Sequence, residues 1–277
     1  MKKITPMQIK KFYNYLMEEE KASATIQKYV HDVEAFTAWL TVDAIDKSVV
    51  LSYKNYLREN YSVASANSML ASLNSFFHFI GWEDVRVKQF KVQKKAYCKE
   101  EGELTKQEYM RLIAAAEKKD LRLSLVIQTI CSAGIRVSEL PFITLEAVKE
   151  GEATVSCKGK TRTIFIVSAL RKKLLRYAKR LGIREGQIFI TRNGKPLNRS
   201  NIWRDMKALC KDAGVCKEKV FPHNLRHLFA RTFYAIEKDI AKLADILGHS
   251  SINTTRIYII TTGLEHKRKM EQMRLIL

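Results

Sequence analysis

The chain has 277 residues, long enough for two domains, and 46% of them are apolar, which is sufficient for a hydrophobic core. Lysine and arginine total 49 against 29 acidic residues, a formal net charge of +20. This excess excludes a charge-balanced surface and favours a polyanionic partner, most commonly nucleic acid. The alternative is a positive surface that only solvates the protein.

Redox and targeting signals are those of a cytoplasmic protein. The five cysteines are odd in number and include no CxxC pair, so neither a disulfide framework nor a zinc knuckle is expected. The N-terminus begins an amphipathic segment and lacks the apolar core of a signal peptide. The stretch from Asn60 to Trp82 has no charged residue, yet its many Ser and Asn side chains exclude a lipid-spanning helix. We therefore expect no membrane association.

Residues 1–82 show helical periodicity throughout. Apolar residues recur at spacings of three and four, which predicts helices packed in a small bundle. Ser23 is expected to cap the second helix. The four apolar stripes are Ile9, Phe12 and Leu16; Ile26, Val30, Val33, Phe36 and Leu40; Val50, Tyr53 and Leu57; and Ala66, Leu70, Leu73, Phe77 and Ile80.

A basic segment without periodicity follows at residues 83–103, and we place the linker between two domains here. Its lysines and an uncharged polar face on the fourth helix are expected to contact the polyanion. These candidates are Lys88, Lys91, Lys94 and Lys95 in the linker, and Ser65, Asn67, Ser72 and Asn74 on the helix. Alternatively, the helix residues face water or a neighbouring helix.

The second domain, residues 104–277, opens with capping-box spacing between Thr105 and Glu108. A later apolar helix is expected to end at Gly134. Alternating residues around the turn at 158–161 predict an antiparallel hairpin, and a short strand is expected at 188–190. Helical periodicity covers 168–181, 200–213, 223–235, 239–247 and a last helix ending near residue 277. The predicted fold class is mainly α with a small antiparallel sheet.

Two segments of this domain carry groups that can bind a phosphate. His223, Arg226 and His227 stand at i, i+3 and i+4, so a helix presents them on one face. An arginine can hold a phosphate through two hydrogen bonds while a histidine moves protons. Arg136, three residues before Glu139, would complete a clamp on the charge that develops in the transition state.

Two further segments offer a proton donor and a nucleophile. Lys158 in the hairpin turn can protonate a departing oxygen, and Tyr258 follows His249 by nine residues. A phenol with a pKa of about 10 is a poor nucleophile unless cations and a base assist it. Taken singly, each of these groups has an ordinary structural explanation in ion pairing, solvation or packing. Their combination predicts metal-free phosphoryl transfer.

The order of these groups resembles that of the tyrosine recombinase (phage integrase) family. The resemblance covers residues 104–258 and rests on GIRVSEL at 134–140, KGKTR at 158–162, HNLRH at 223–227, LGH at 247–249 and TTRIY at 254–258. It extends more loosely to the N-terminal helices, which resemble the family's core-binding (SAM-like) domain. The first helix begins near Pro6, so we expect a Xer-like or transposon-type enzyme without an arm-binding domain.

The resemblance implies a role for each matching residue and implies no metal or other cofactor. Cleavage would join Tyr258 to a DNA 3′-phosphate and release a 5′-hydroxyl. Lys160 is the alternative to Lys158 as the general acid. In this pattern Arg136, Arg226 and His249 bind the phosphate, Lys158 and His223 transfer protons, Glu139 supports Arg136, and Tyr258 is the nucleophile.

The resemblance also implies the partners. Double-stranded DNA would be clasped by the two domains, and a synaptic tetramer would exchange C-terminal tails between protomers. The protein would act at the nucleoid of a bacterium, or be encoded by a phage or mobile element, in integration, excision or related recombination. Two rival functions stay open: a type IB topoisomerase with the same chemistry, and a catalytically idle DNA-binding protein. The N-terminal bundle argues against the first, and the intact set of candidate catalytic residues argues against the second.

Overall fold

The computed structural model describes residues 2–42, 44–91, 102–157, 160–191, 193–259 and 271–273. The chain divides into two compact units, residues 1–94 and 95–277. Within the described ranges, no helix is both long enough and apolar enough to span a membrane.

The N-terminal unit is a helical bundle with an aromatic core. It consists of α1 (Pro6–Glu18), α2 (Ser23–Trp39), α3 (Lys47–Asn60) and α4 (Val63–Phe79). Phe12, Phe36 and Phe76 are fully buried, and the rings of Phe12 and Phe76 meet edge to face with centroids 5.2 Å apart. Helix α2 begins at Ser23, but its N-cap is Ala22, and no side chain caps it. The capping role expected of Ser23 is therefore not observed.

The first part of the predicted linker, residues 83–91, packs against the N-terminal bundle. A short 3-10 turn covers Glu83–Val85, and both Val85 and Val87 are buried in the bundle core. Asn74 holds the backbone of Val87 through two hydrogen bonds of 2.8 and 3.0 Å. Residues 83–91 therefore belong to the N-terminal unit, whereas Gly102 and Glu103, at the other end of the segment, bond to Asn224 and Arg231 of the C-terminal unit.

Several side chains on the uncharged polar face of α4 form hydrogen bonds within the N-terminal unit. Ser72 is fully buried and donates to Asp32 at 2.7 Å, and Asn67 bonds both backbone groups of Phe90. The expectation that Ser72 meets DNA is wrong because the side chain has no exposed surface. Asn67 and Asn74 are likewise engaged with the chain's own backbone, whereas Ser65 is exposed.

The C-terminal unit surrounds the buried helix α6. Its capping box at Thr105 and Glu108 forms as predicted, and α6 ends at Gly134 in the left-handed conformation. The elements in chain order are α5 (Lys106–Lys119), α6 (Leu121–Ala133), α7 (Leu145–Glu150), β1 (Glu152–Cys157), β2 (Lys160–Phe165), α8 (Ser168–Leu181), α9 (Arg199–Ala208), α10 (Cys210–Ala213), α11 (Pro222–Glu237), α12 (Ile240–Leu247) and α13 (Ile252–Ile259).

Strands β1 and β2 form an antiparallel pair in which Glu152 faces Phe165 and Val155 faces Arg162. The fold class predicted from the sequence, mainly α with a small antiparallel sheet, is thus confirmed. Residues 188–190 do not form the expected strand, since Ile190 makes only an isolated bridge to Pro196. The helix expected over 200–213 is divided at Leu209 into α9 and α10.

Candidate active site

Arg136 is positioned by the turn that follows α6. Gly134 ends the helix with φ +60°, and a Cβ there would overlap the ring of Phe229, so glycine fits this position best. A 3-10 turn then brings Glu139 back toward Arg136. The carboxylate of Glu139 accepts hydrogen bonds from the backbone N of Arg136 at 2.7 Å and from its Nη1 at 3.1 Å.

Glu139 is buried, and it also accepts a hydrogen bond from Arg162. The distance from Arg162 Nη2 to Glu139 Oε2 is 2.6 Å. Burial opposes ionisation of Glu139, but the Arg136 backbone bond, the charge of Arg162 and the side-chain hydrogen bonds from both arginines outweigh it and hold its pKa below the usual range. The acid is therefore a carboxylate between two guanidinium groups. Arg162 was not among the residues proposed from the sequence, although it belongs to the KGKTR stretch.

Arg226 projects from α11 into the interior of the C-terminal unit and is only 1% exposed. Its Nη1 donates to the carbonyl of Gly134 and its Nη2 to the carbonyl of Leu247, each at 2.6 Å. Burial and the neighbouring charge of Arg136 lower its pKa to about 10, so it is still a cation at neutral pH. The two carbonyl bonds connect the end of α6, α11 and the end of α12.

His249 follows α12, whose last turn closes at Gly248 in the left-handed conformation. Its Nε2 lies 3.0 Å from Arg226 Nη2, and its Nδ1 lies 2.8 Å from the hydroxyl of Thr255. Burial and the charges of Arg226 and Arg136 lower the pKa of His249 to about 4. The ring is therefore neutral at physiological pH.

Tyr258 lies on α13 with its ring among three imidazoles. The ring is stacked with His249 (centroids 5.4 Å apart, planes at 14°) and meets His227 edge to face at 4.2 Å. Its hydroxyl lies 3.5 Å from His223 Nε2, the outer limit of a hydrogen bond. Desolvation and the charges of Arg226 and Arg136 lower the pKa of His223, so its neutral form can take a proton from the phenol.

A cleft of about 550 Å³ opens beside these groups. Arg136, His223 and Arg226 line it together with the exposed ring of Trp203 and the side chain of Arg199. It is thus a concave, cationic space whose lining includes the imidazole of His223, and the Tyr258 hydroxyl lies 3.5 Å from that ring. Among the described residues, no cluster of three or more His, Cys, Asp or Glu could hold a metal ion.

The structure brings together most of the residues proposed from the sequence. Arg136, Glu139, His223, Arg226, His249 and Tyr258 converge as described. Lys158, Lys94 and Lys95 lie outside the described residues, and of Lys160 only the backbone is described. Lys88 and Lys91 are exposed on the N-terminal unit.

Comparison with known proteins decides the family. The sequence model of the phage integrase family matches residues 103–262. The sequence model of the N-terminal SAM-like domain of phage integrases matches residues 9–84. The chain belongs to the phage integrase family. The family predicted from the sequence is therefore confirmed.

Full-length relatives and solved structures agree with this membership. The chain is 29% identical over 279 residues to the tyrosine recombinase XerA of Pyrococcus furiosus, covering 97% of this chain and 94% of that protein. It is 25% identical to the tyrosine recombinase XerD of Listeria monocytogenes over 293 residues (95% and 97%). Its fold matches a lambda integrase dimer bound to a COC′ core site with a TM-score of 0.74 at 20% identity, over 91% of this chain and 76% of that one.

Proposed function

We propose that this chain is a site-specific DNA recombinase that cuts and rejoins strands through a covalent bond to Tyr258. The observation that carries the proposal is the position of the Tyr258 hydroxyl, 3.5 Å from Nε2 of His223, which lines the same cleft as Arg136 and Arg226. Family membership and the tyrosine recombinases found among its relatives support it.

In the cleavage step, the phenolic oxygen of Tyr258 attacks the scissile phosphorus, and its proton passes to His223 Nε2. One P–O bond forms to tyrosine while the P–O bond to the 5′ oxygen breaks. Arg136 and Arg226 bind the non-bridging oxygens, whose negative charge grows in the transition state. His249, already paired with Arg226 through Nε2, holds the guanidinium that faces the phosphate.

The departing 5′ oxygen needs a proton, and we assign its donor to Lys158. The assignment rests on the sequence, because Lys158 lies between β1 and β2 in the KGKTR stretch. Rejoining reverses the same steps: a 5′-hydroxyl attacks the phosphotyrosyl phosphorus and tyrosine leaves. Each step exchanges one phosphodiester bond for another, so the reaction requires no nucleotide hydrolysis.

The nucleophile and the phosphate-binding residues come from one protomer. Helix α13 packs against α11 and α12, so the ring of Tyr258 contacts His223, His227 and His249 of its own chain. We infer that each protomer cleaves with its own tyrosine.

The partners proposed are double-stranded DNA and further copies of this chain. A net charge of +20 supports DNA binding, and DNA as substrate supports a cytoplasmic location at the nucleoid. One structural neighbour is a lambda integrase tetramer bound to a Holliday junction, which supports a tetrameric synapse for this chain. Exchange of C-terminal tails between protomers stays a proposal, since residues 260–270 and 274–277 lie outside the described residues.

The rival functions are less well supported. A type IB topoisomerase would share the chemistry, but the match of residues 9–84 to the N-terminal SAM-like domain of phage integrases favours a recombinase. An idle DNA-binding protein would have no use for a tyrosine hydroxyl beside His223 in a cleft that two arginines also line.

Denaturing gels with nicked duplexes made from the DNA that flanks the gene test this function. Wild-type protein should form a covalent protein–DNA band, and Tyr258→Phe should bind the same DNA without forming it. Tyr234→Phe is the matched control, because Tyr234 packs against the same small cluster of buried residues as Tyr258. An adduct formed by Tyr258→Phe would refute the assignment of the nucleophile.

A further inference from the structure

Arg162 connects two segments of the candidate site that are far apart in the sequence. It lies on β2, and its side chain is 11% exposed. One guanidinium nitrogen, Nη2, donates to Glu139, and the other, Nη1, donates to the backbone carbonyl of Ile246 in the last turn of α12. The first partner holds Arg136, and the second precedes His249 by three residues.

Gly248 provides the space in which Arg162 lies. A Cβ at Gly248 would overlap Cδ of Arg162 and would lie 2.9 Å from its Nε. The end of α12 is therefore in direct van der Waals contact with the aliphatic part of the arginine. The buried Nε of Arg162 has no hydrogen-bond partner within the described part of the chain, so two directed bonds and this contact hold the side chain.

Only arginine has the shape for this connection. Its planar guanidinium presents nitrogens in a rigid fork, so it can bond the Glu139 carboxylate and the Ile246 carbonyl at the same time. A lysine at the same position has one ammonium group, which can approach one of these acceptors but cannot span both in this geometry. A second carboxylate oxygen of Glu139 remains available to Arg136 Nη1 at 3.1 Å.

We propose that Arg162 is a positioning residue that holds Arg136 and His249 in the relative positions that cleavage requires. It acts through Glu139 on Arg136 and through the Ile246–Gly248 turn on His249. This inference rests on the proposed function, since the required positions of Arg136 and His249 are defined relative to a bound phosphate. A displacement of about 1 Å at such groups is enough to slow a reaction by about a hundredfold.

The test compares Arg162→Lys with Arg171→Lys, both assayed on the nicked duplex with wild type and Tyr258→Phe. Arg171 is the matched control, because it also donates to a backbone carbonyl, that of Lys149, and its Nε is also buried without a partner among the described residues. The rate of adduct formation at saturating DNA, the Kd for DNA and the thermal midpoint are measured for each.

Arg162→Lys should slow adduct formation at saturating DNA by between about tenfold and about a hundredfold, with a Kd close to that of wild type. Arg171→Lys should stay within about twofold of wild type in rate. A rate for Arg162→Lys that falls no more than that of Arg171→Lys overturns the proposal. If wild type forms no adduct, it is the proposed function that fails.

A second pair of variants decides the matter if Arg162→Lys does not fold. Gly248→Ala leaves Arg162 in the sequence but occupies its space, whereas Gly182→Ala imposes the same kind of backbone strain at φ +68° with nothing within 4 Å of the new Cβ. Gly248→Ala should slow adduct formation by at least about tenfold more than Gly182→Ala. Equal rates for the two alanine variants overturn the proposal.

Discussion

His249 accepts a hydrogen bond from Arg226: its Nε2 lies 3.0 Å from a guanidinium Nη2 that can only donate. The imidazole must therefore carry its proton on Nδ1, which donates to the hydroxyl of Thr255 at 2.8 Å. Protonation of Nε2 would place two donors face to face beside a fixed positive charge. Burial, followed by the charges of Arg226 and Arg136, lowers the pKa of His249 to about 4 from its ordinary value of 6.5, and the ring therefore keeps this neutral tautomer at physiological pH.

The first prediction concerns stability below neutral pH. The unfolded chain binds a proton at His249 near pH 6.5, but the folded chain binds it only near pH 4, because burial and the charges of Arg226 and Arg136 disfavour the protonated ring. The contribution of neutral His249 to the free energy of unfolding is therefore fully present above pH 6.5 and is lost as the pH falls through about 4. The thermal midpoint of His249→Gln should fall less than that of wild type between about pH 7 and about pH 5. A pH dependence unchanged by the substitution would contradict the lowered pKa of His249.

The second prediction concerns Glu139. Glu139→Gln removes a buried negative charge and leaves the guanidinium groups of Arg162, which is mostly buried, and of Arg136, which is partly exposed, without their shared carboxylate. Loss of one partner from a buried ion pair lowers the free energy of unfolding by about 3–5 kcal/mol. Each kcal/mol lost lowers the thermal midpoint by about 2–4 °C in a chain of this size. Glu117→Gln, which breaks an exposed pair with Lys173, is the control and should cost less than about 1 kcal/mol. Calorimetry that gave equal midpoints for the two variants would refute the role given to Glu139.

The third prediction concerns the N-terminal unit. Asn74→Ala leaves the backbone N–H and carbonyl of Val87 without their side-chain partner. It should destabilise this unit by about 1–3 kcal/mol, because buried backbone groups lose their bonds. Ser65→Ala, on the exposed side of α4, should change stability by less than about 0.5 kcal/mol. Urea unfolding followed by tryptophan fluorescence distinguishes the two variants. If Asn74→Ala were as stable as Ser65→Ala, Asn74 would again be a candidate DNA contact.

The fourth prediction concerns the salt dependence of DNA binding. Lys88 and Lys91 are exposed, and each that neutralises a phosphate should contribute about 0.9 to the slope of log Kd against log salt concentration. Lys88→Gln and Lys91→Gln should each lower the slope by that amount and weaken binding to all sequences alike. Lys242→Gln is the control, since Lys242 is already paired with Glu237. Slopes equal to that of wild type would remove both lysines from the DNA interface.

The sequence identified the candidate site better than it identified the supporting contacts. Arg136, Arg226 and Tyr258 could be predicted because their order along the chain is a family pattern that does not depend on knowing the fold. Arg162 was missed although a signal existed: alternation along β2 places it on the same face as the buried Ile164 and Ile166, where an unpaired charge would be unfavourable.

The polar face of α4 shows the opposite error. Periodicity correctly predicted the helix, but it cannot show whether a polar side chain on that helix faces water or another part of the fold. Ser72 meets Asp32 on another helix, and Asn67 meets backbone twenty-three residues later in the chain. Hydrogen bonds over such distances depend on how elements pack, which a local pattern does not contain.

The contact between Gly248 and Arg162 has a consequence for the evolution of such chains. Position 248 is restricted twice, by a φ of +64° and by the arginine that fills the space of a side chain. If position 162 were to lose its arginine, only the backbone restriction would remain, and asparagine tolerates that conformation better than other non-glycine residues do. The two positions should therefore covary in homologous sequences, with glycine at 248 kept wherever arginine is kept at 162.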